Sequence, residues 1–224
     1  MQKTFLFLLL ASLSFGANAG DKSVTLDSTK ICYPVEYSPD TSYMSAILAP
    51  ISDKLDDSTG QELIYIPASE IKKKVPEYTL SHVNKWGVNL KHDIMGLAYS
   101  MSGVGKPYGM AESAWSIYED TEKSPLVEKD EKTGLFKLWE YRDIKLFWHY
   151  IESPPPKTPN FELPKNWYVG MCDGDQPLNY KCSQSVFYKD IMHSYDLQAH
   201  DMAVREKVKL ALKSLFKEWE MKCK

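Results

Sequence analysis

Five histidines are the side chains of this sequence best suited to general acid–base catalysis or metal binding: His82, His92, His149, His193 and His200. None lies in an H-E-x-x-H motif, and no two have the four-residue spacing that places two imidazoles on one helix face. His193 and His200 are seven residues apart and would share a helix face only if that helix began early. We therefore interpret them as hydrogen-bonded or surface imidazoles, and we predict no metal site and no cofactor.

Serine-based catalysis is not indicated by any local pattern. Ser102 lies in the segment Tyr99-Ser100-Met101-Ser102-Gly103, which differs from the G-x-S-x-G turn of esterases. A Ser-His-Asp triad could assemble from His92, Asp93 and a distant serine, because triads are defined by geometry and not by sequence order. We therefore assign no catalytic residue from the sequence.

Phosphate binding is also not supported. Residues 103–106 read Gly-Val-Gly-Lys, but Ser100 occupies the place of the upstream glycine of a phosphate-binding loop. Pro107 replaces the serine or threonine that would bind magnesium. We interpret this segment as a turn.

Four carboxylates near aromatic segments leave glycosidase-like acid–base chemistry open: Glu112, Glu119, Asp120 and Glu140. Such chemistry requires two carboxyl groups at a defined separation in space, which a sequence does not supply. Charged residues beside strands are more often the solvated face of a half-buried sheet.

The four cysteines predict two disulfides. Four cysteines allow three pairings, and no C-x-x-C pair indicates a metal site. Nine residues lie between Cys172 and Cys182, including the turn-forming segment 173–177, so two strands joined by that turn would bring these cysteines face to face. We therefore favour Cys172–Cys182 and, by default, Cys32–Cys223.

The N-terminus has the pattern of a secretory signal peptide. Lys3 precedes an apolar run over residues 5–13, and Ala17-Asn18-Ala19 forms a small-residue cleavage site. The run is too short to span a membrane, and no cysteine follows the cleavage site to accept a lipid anchor. We predict a signal peptide at 1–19 and a soluble, exported domain at 20–224. The absence of an N-x-S/T glycosylation sequence favours a bacterial periplasm.

Composition argues against nucleic-acid binding and for a folded core. The formal net charge is −3, so there is no basic excess to replace the counterions of a phosphate backbone. Six tryptophans and fourteen tyrosines supply core packing, and the same residue types are enriched at protein–protein interfaces.

Short aromatic or β-branched segments bounded by turn residues predict an α+β fold, with a mostly antiparallel sheet and a long C-terminal helix packed on one face. Apolar residues recur at three- and four-residue steps from Val204 to Trp219, which predicts a helix with Asp201 as its N-cap and an end near Lys222. A second helix is predicted at 41–56, kinked at Pro50. The predicted strands are 31–36, 62–66, 78–84, 86–90, 113–118, 135–141, 144–151, 167–172 and 184–188. Segments 119–133 and 153–164 are predicted to be loops.

These features together resemble the periplasmic immunity proteins of type VI secretion toxin systems. The resemblance rests on the signal peptide, the early strand with Cys32, the paired cysteines and the closing strand–helix unit at 184–219. It implies a stoichiometric inhibitor that blocks the active site of one cognate toxin, and it carries over no catalytic residue.

Exposed aromatic and acidic side chains are the expected contacts of such an inhibitor. We predict partner binding through Tyr108, Trp115, Tyr118, Glu119 and Asp120, with burial in the core as the alternative for Trp115. Two other functions stay open. A periplasmic hydrolase acting on cell-wall or lipid substrates would place His92 or His149 beside a serine or carboxylate, and a small-ligand binding protein would have a deep apolar pocket.

Overall fold

The computed structural model describes residues 20–39, 60–102, 110–120, 122–154, 163–164, 166–174 and 179–224. The predicted signal peptide at 1–19 and the predicted helix at 41–56 lie outside these residues. Among the described residues, no helix has the length and apolar character needed to cross a membrane.

Twelve β-strands, numbered along the chain, form most of the described structure. They are β1 (Asp21–Leu26), β2 (Thr29–Pro34), β3 (Gln61–Ile66), β4 (Ser81–Val83), β5 (Asn89–Lys91), β6 (Ile94–Ser100), β7 (Leu126–Asp130), β8 (Leu135–Trp139), β9 (Phe147–Ile151), β10 (Tyr168–Asp173), β11 (Lys181–Tyr188) and β12 (Ile191–Gln198). Eight of them form one antiparallel sheet in the order β3-β6-β12-β11-β10-β9-β8-β7, while β1–β2 and β4–β5 are separate hairpins.

Helices cover parts of both faces of this sheet. They are α1 (Ala68–Lys74), α2 (Met110–Glu119) and α3 (Arg205–Lys222), with 3-10 turns at Val35–Tyr37 and Ala199–Val204. Helix α3 packs against β2 and β11. Its buried residues follow the predicted helical spacing from Val208 to Trp219. A second, smaller cluster buries Ala114 of α2 with Leu138, Ile151 and Trp167. The prediction of an α+β fold with a C-terminal helix on one face of an antiparallel sheet is therefore confirmed.

Three local predictions are wrong. Residues 113–118 belong to helix α2 and not to a strand, because Ala111, Ala114, Trp115 and Tyr118 recur at helical spacing and pack against the smaller cluster. The predicted loop at 119–133 contains edge strand β7, which pairs with β8. Asp201 is not a helix N-cap, because it lies in the 3-10 turn that precedes α3 and its side chain is buried.

Both predicted disulfides are confirmed. Cys172 and Cys182 face each other on β10 and β11, where they are paired in the strand register. Cys32 on β2 is joined to Cys223, one residue after the end of α3. The first bond closes a sequence separation of 10 residues and the second closes a separation of 191.

A close approach between β6 and its neighbour β12 requires a glycine. Gly96 of β6 lies opposite Ile64 on one side and Tyr195 on the other. A Cβ atom at position 96 would lie 2.3 Å from the Ser194 carbonyl oxygen and 2.6 Å from Nε2 of His193. Glycine is therefore required here because the neighbouring strand and a buried imidazole occupy the space of a side chain.

His193 is completely buried in this region. Its ring stacks on Tyr195 and contacts the edge of Phe216, and neither ring nitrogen has a well-formed hydrogen bond among the described residues. Burial disfavours the charged imidazolium and lowers the pKa of His193 to about 4. The ring is therefore neutral in the folded protein at neutral pH.

We predict that Cys32–Cys223, which closes the longer loop of sequence, contributes more stability than Cys172–Cys182. Chain-entropy arguments give about 5 kcal/mol for Cys32–Cys223 and about 3 kcal/mol for Cys172–Cys182. In urea titrations, C32A/C223A should lower the free energy of unfolding more than C172A/C182A does. A larger loss in C172A/C182A would contradict this ranking.

We predict that His193 makes the protein less stable in mild acid. The unfolded state takes up this proton near pH 6.5 and the folded state only near pH 4, so stability is complete above pH 6.5 and falls as the pH decreases. The loss should reach about 3 kcal/mol at pH 4. Urea titrations at pH 7 and pH 4 should show a smaller decrease for His193→Leu than for the wild type, and an equal decrease would refute the assignment.

Candidate functional site

One end of the eight-stranded sheet collects several connections between strands. Strands β6, β9 and β11 begin there, and strands β8, β10 and β12 end there, as their antiparallel registers require. The β4–β5 hairpin leads directly into β6 at this end, and segment 140–146 connects β8 to β9 at the same end. We call this surface the hairpin end of the sheet.

The turn of the β4–β5 hairpin is held by its own hydrogen bonds. The Asn84 side-chain oxygen accepts hydrogen bonds from the backbone N–H groups of Trp86 and Val88. The Asn84 N–H donates to the Val88 carbonyl, and Gly87 adopts a φ of 76° that favours glycine. The tip therefore has a defined conformation that presents Trp86 outward.

Exposed apolar side chains are concentrated at the hairpin end. Seven of the eleven exposed large hydrophobic residues in the described structure lie on segments 80–88 and 141–146: Leu80, Val83, Trp86, Val88, Tyr141, Ile144 and Leu146. Trp86 is 63% exposed, and the Lys85 ammonium lies 4.4 Å from the centre of its ring. Clustered apolar exposure of this kind is typical of an interaction surface.

A cluster of three histidines and one aspartate lies at the base of the hairpin. Nδ1 of the buried His92 is 3.0 Å from an Asp201 carboxylate oxygen, and Nε2 of His200 is 3.6 Å from the same oxygen. Nε2 of His92 is 2.6 Å from Nδ1 of His82, whose Nε2 lies 3.4 Å from the side-chain oxygen of Asn179. We call His82, His92, His200 and Asp201 the histidine–aspartate cluster.

Backbone hydrogen bonds connect this cluster to the hairpin. The second carboxylate oxygen of Asp201 accepts from the Thr79 N–H. The His92 N–H donates to the Leu80 carbonyl, and the Tyr78 hydroxyl donates to the His92 carbonyl. Because His82 is itself a residue of β4, the cluster fixes both strands of the hairpin on the end of the sheet.

Burial determines the charge state of His200. Desolvation lowers the pKa of its imidazole, and the nearby Asp201 carboxylate opposes this effect only in part. His200 is therefore neutral near pH 7 and keeps a nitrogen lone pair. In the described residues, the groups suited to hold a metal ion are His92, His200 and Asp201, whose donor atoms all lie within 4.8 Å of one another.

A cleft of about 430 Å³ opens beside His200. Its wall includes the aromatic rings of Trp139, Trp148, Tyr150 and Tyr180. The carboxylates on this wall are already paired, since Lys145 binds Glu128 and Lys137 binds Asp130. The cleft therefore offers aromatic surface and ion-paired charges, which differs from the deep apolar pocket expected of a small-ligand binding protein.

The structure does not bring together the His92 and Asp93 side chains that a triad would have used. Asp93, next to His92 in sequence, is turned toward α1, where its carboxylate accepts from the Ala68 N–H and the Tyr65 hydroxyl. Asp201 takes the place beside His92 that a triad would give to Asp93. Because Nε2 of His92 contacts His82, the His92–Asp201 pair has no serine partner among the described residues.

The predicted partner-binding residues lie elsewhere. Trp115 and Tyr118 are half-buried on α2, and Trp115 contacts Trp167 of the smaller cluster. Glu119 is exposed at the end of α2, while Asp120 is half-buried and pairs with Lys123. The remaining predicted contact, Tyr108, lies outside the described residues.

Comparison of the chain with protein-family models, characterised proteins and solved structures finds no match. The candidate site is therefore interpreted from its own contacts alone.

We predict that His92 is the main anchor of the hairpin. His92→Ala leaves the Asp201 carboxylate buried without its closest partner, which should lower the free energy of unfolding by about 3 kcal/mol. The amides of residues 81–91 should also exchange with deuterium faster than in the wild type.

The matched control is His200→Gln, measured like His92→Ala in buffer with a chelator. The His200 side chain is 37% exposed and 3.6 Å from the carboxylate. Its replacement should therefore change stability by less than about 1 kcal/mol. Equal effects of the two substitutions would contradict the anchoring role of His92.

Proposed function

We propose that this protein is a non-catalytic, exported protein-binding module that inhibits a cognate toxin or enzyme by stoichiometric association. The observation that carries this proposal is the ordered hairpin tip that exposes Trp86 beside further apolar side chains. The two disulfides fit a protein that folds in an oxidising compartment, for which we propose the periplasm.

Trp86 has the properties of an energetic hot spot. Tryptophan is enriched among residues whose truncation costs more than 2 kcal/mol of binding free energy. The Asn84 hydrogen bonds and the cluster beneath the hairpin order its backbone before a partner arrives. Such preorganisation reduces the conformational entropy lost on binding.

The charge of the hairpin indicates the chemistry of the partner surface. Segment 79–91 contains Lys85 and Lys91 and no acidic residue. An apolar tip with flanking ammonium groups is complementary to an apolar pocket bordered by carboxylates. We therefore propose that the hairpin enters such a pocket in the partner, in the way an inhibitory loop occupies an enzyme cleft.

A second candidate function is a periplasmic hydrolase, and the observation that favours it is the pairing of His92 with Asp201 next to the 430 Å³ cleft. In this function His200, at the rim of the cleft, would contact the substrate. Peptidoglycan fragments and short-chain esters are the substrates to test. His200→Gln should abolish turnover if this function is correct, whereas the inhibitor function predicts no turnover by the wild type.

The primary experiment has two steps. Tagged Gly20–Lys224, produced in an oxidising compartment, is first used to capture partners from the lysate and secreted protein of its own organism. The captured partner is then purified, and its affinity for the wild type, Trp86→Ala and Phe187→Ala is measured by calorimetry. Phe187 is the matched control, because it is a 46% exposed aromatic residue near the turn at the opposite end of β11.

We predict one-to-one binding. Trp86→Ala should raise the dissociation constant at least tenfold, which is about 1.4 kcal/mol or more, and Phe187→Ala should change it by no more than about twofold. Equal loss in both variants, or none in either, would refute binding through the hairpin. Binding to vesicles that contain anionic lipid, abolished by Trp86→Ala, would instead identify the hairpin as a membrane-surface element.

A further inference from the structure

The histidine–aspartate cluster has the arrangement of a metal centre. In a tetrahedral site with bonds of about 2.0–2.1 Å, neighbouring ligand atoms are about 3.3 Å apart. The distances from the Asp201 oxygen to His92 Nδ1 and His200 Nε2 are 3.0 and 3.6 Å, on either side of this value. We propose that His92, His200 and Asp201 bind one transition-metal ion of the Zn²⁺ class, which fixes the β4–β5 hairpin on the sheet.

The hydrogen bonds around these ligands are consistent with metal binding. If His92 binds the metal through Nδ1, its Nε2 carries the proton and donates to Nδ1 of His82, 2.6 Å away. His82 then donates from Nε2 to the side-chain oxygen of Asn179. The other oxygen of Asp201 accepts from the Thr79 N–H. Outer hydrogen bonds of this kind orient the ligands of protein zinc sites.

Charge gives a second, independent argument. The Asp201 side chain is only 2% exposed, and its ion-pair partners in the described part of the chain are two histidines, with no lysine or arginine among them. Buried carboxylates in proteins are paired with a charged group or coordinate a metal ion. A divalent ion between the two imidazoles supplies that charge while leaving both histidines neutral.

The donor set selects the class of metal. Two imidazole nitrogens and one carboxylate oxygen suit Zn²⁺ and its transition-metal neighbours, whereas Ca²⁺ and Mg²⁺ prefer oxygen ligands alone. None of the four cysteines competes as a ligand, because all are in disulfides. His200 borders the cleft, so ions can enter from solvent and a water molecule can complete the coordination.

The test uses the mature protein without a polyhistidine tag, after removal of metal by chelation. Zn²⁺ is titrated calorimetrically into the wild type, His200→Gln, Asp201→Asn and His149→Gln, each checked for folding by circular dichroism. His149→Gln is the matched control, because it removes a buried histidine that is not part of the cluster. Titration with Co²⁺ provides an independent absorption signal for tetrahedral coordination.

We expect the wild type to bind one equivalent of Zn²⁺, with a dissociation constant at least tenfold lower than that of His200→Gln or Asp201→Asn. His149→Gln should bind like the wild type. Zinc at 100 times its dissociation constant should raise the ratio of folded to unfolded protein about 100-fold, seen as a higher melting temperature.

Two results would overturn the proposal. One is the absence of saturable Zn²⁺ binding to the wild type at about 100 μM zinc, a concentration well above the dissociation constants of protein zinc sites. The other is unchanged binding in His200→Gln, which would place the ion elsewhere. If Asp201→Asn does not fold, His200→Gln alone decides, because its partly exposed side chain is not required for the core. This outcome does not depend on whether the hairpin binds a protein partner.

Discussion

The buried contact between Asp201 and His92 is the interaction on which the hairpin end of the sheet depends. Asp201 lies in the turn between β12 and α3, and His92 lies between β5 and β6. With the Thr79 hydrogen bond, this contact joins segments separated by more than one hundred residues. A buried carboxylate tolerates few arrangements, since each missing partner leaves an uncompensated charge. The contact therefore determines where the hairpin sits.

This constraint acts on the base of the hairpin and not on its tip. Its base is polar, partly buried and connected to the sheet through His92 and Asp201, whereas its tip is apolar and exposed. A short two-stranded ribbon has little stability by itself. The cluster at its base supplies the missing order, which in the proposed function would reduce the conformational entropy lost when Trp86 binds a partner. The proposed metal ion would act on the same base and would leave the tip unchanged.

Local patterns in the sequence were sufficient to predict the fold class, the C-terminal helix and the Cys172–Cys182 disulfide, and Cys32–Cys223 followed as the remaining pair. The helix repeats its apolar residues at helical spacing, and the turn between Cys172 and Cys182 restricts their pairing. Segment 113–118 was predicted to be a strand because its aromatic residues suggest one, although Ala111 and Ala114 extend a helical pattern. Edge strand β7 was missed because Glu128, Lys129 and Asp130 make it polar.

The histidine–aspartate cluster could not be predicted, because its members come from β4, the link between β5 and β6, and a 3-10 turn more than one hundred residues later. Only tertiary structure makes His82, His92 and His200 neighbours. The hairpin tip could have been predicted, since Asn84-Lys85-Trp86-Gly87 is a turn sequence that contains a tryptophan.

The Cys32–Cys223 bond also bears on the order in which the fold can close. One partner lies on β2 and the other directly follows α3, 191 residues later. Because α3 packs on β2, the native bond forms only after residue 223 has been synthesised and α3 has docked. A variant that lacks Cys223 would leave Cys32 as an unpaired thiol beneath the end of α3. Closure of this bond therefore reports that the first hairpin and the C-terminal helix have come together.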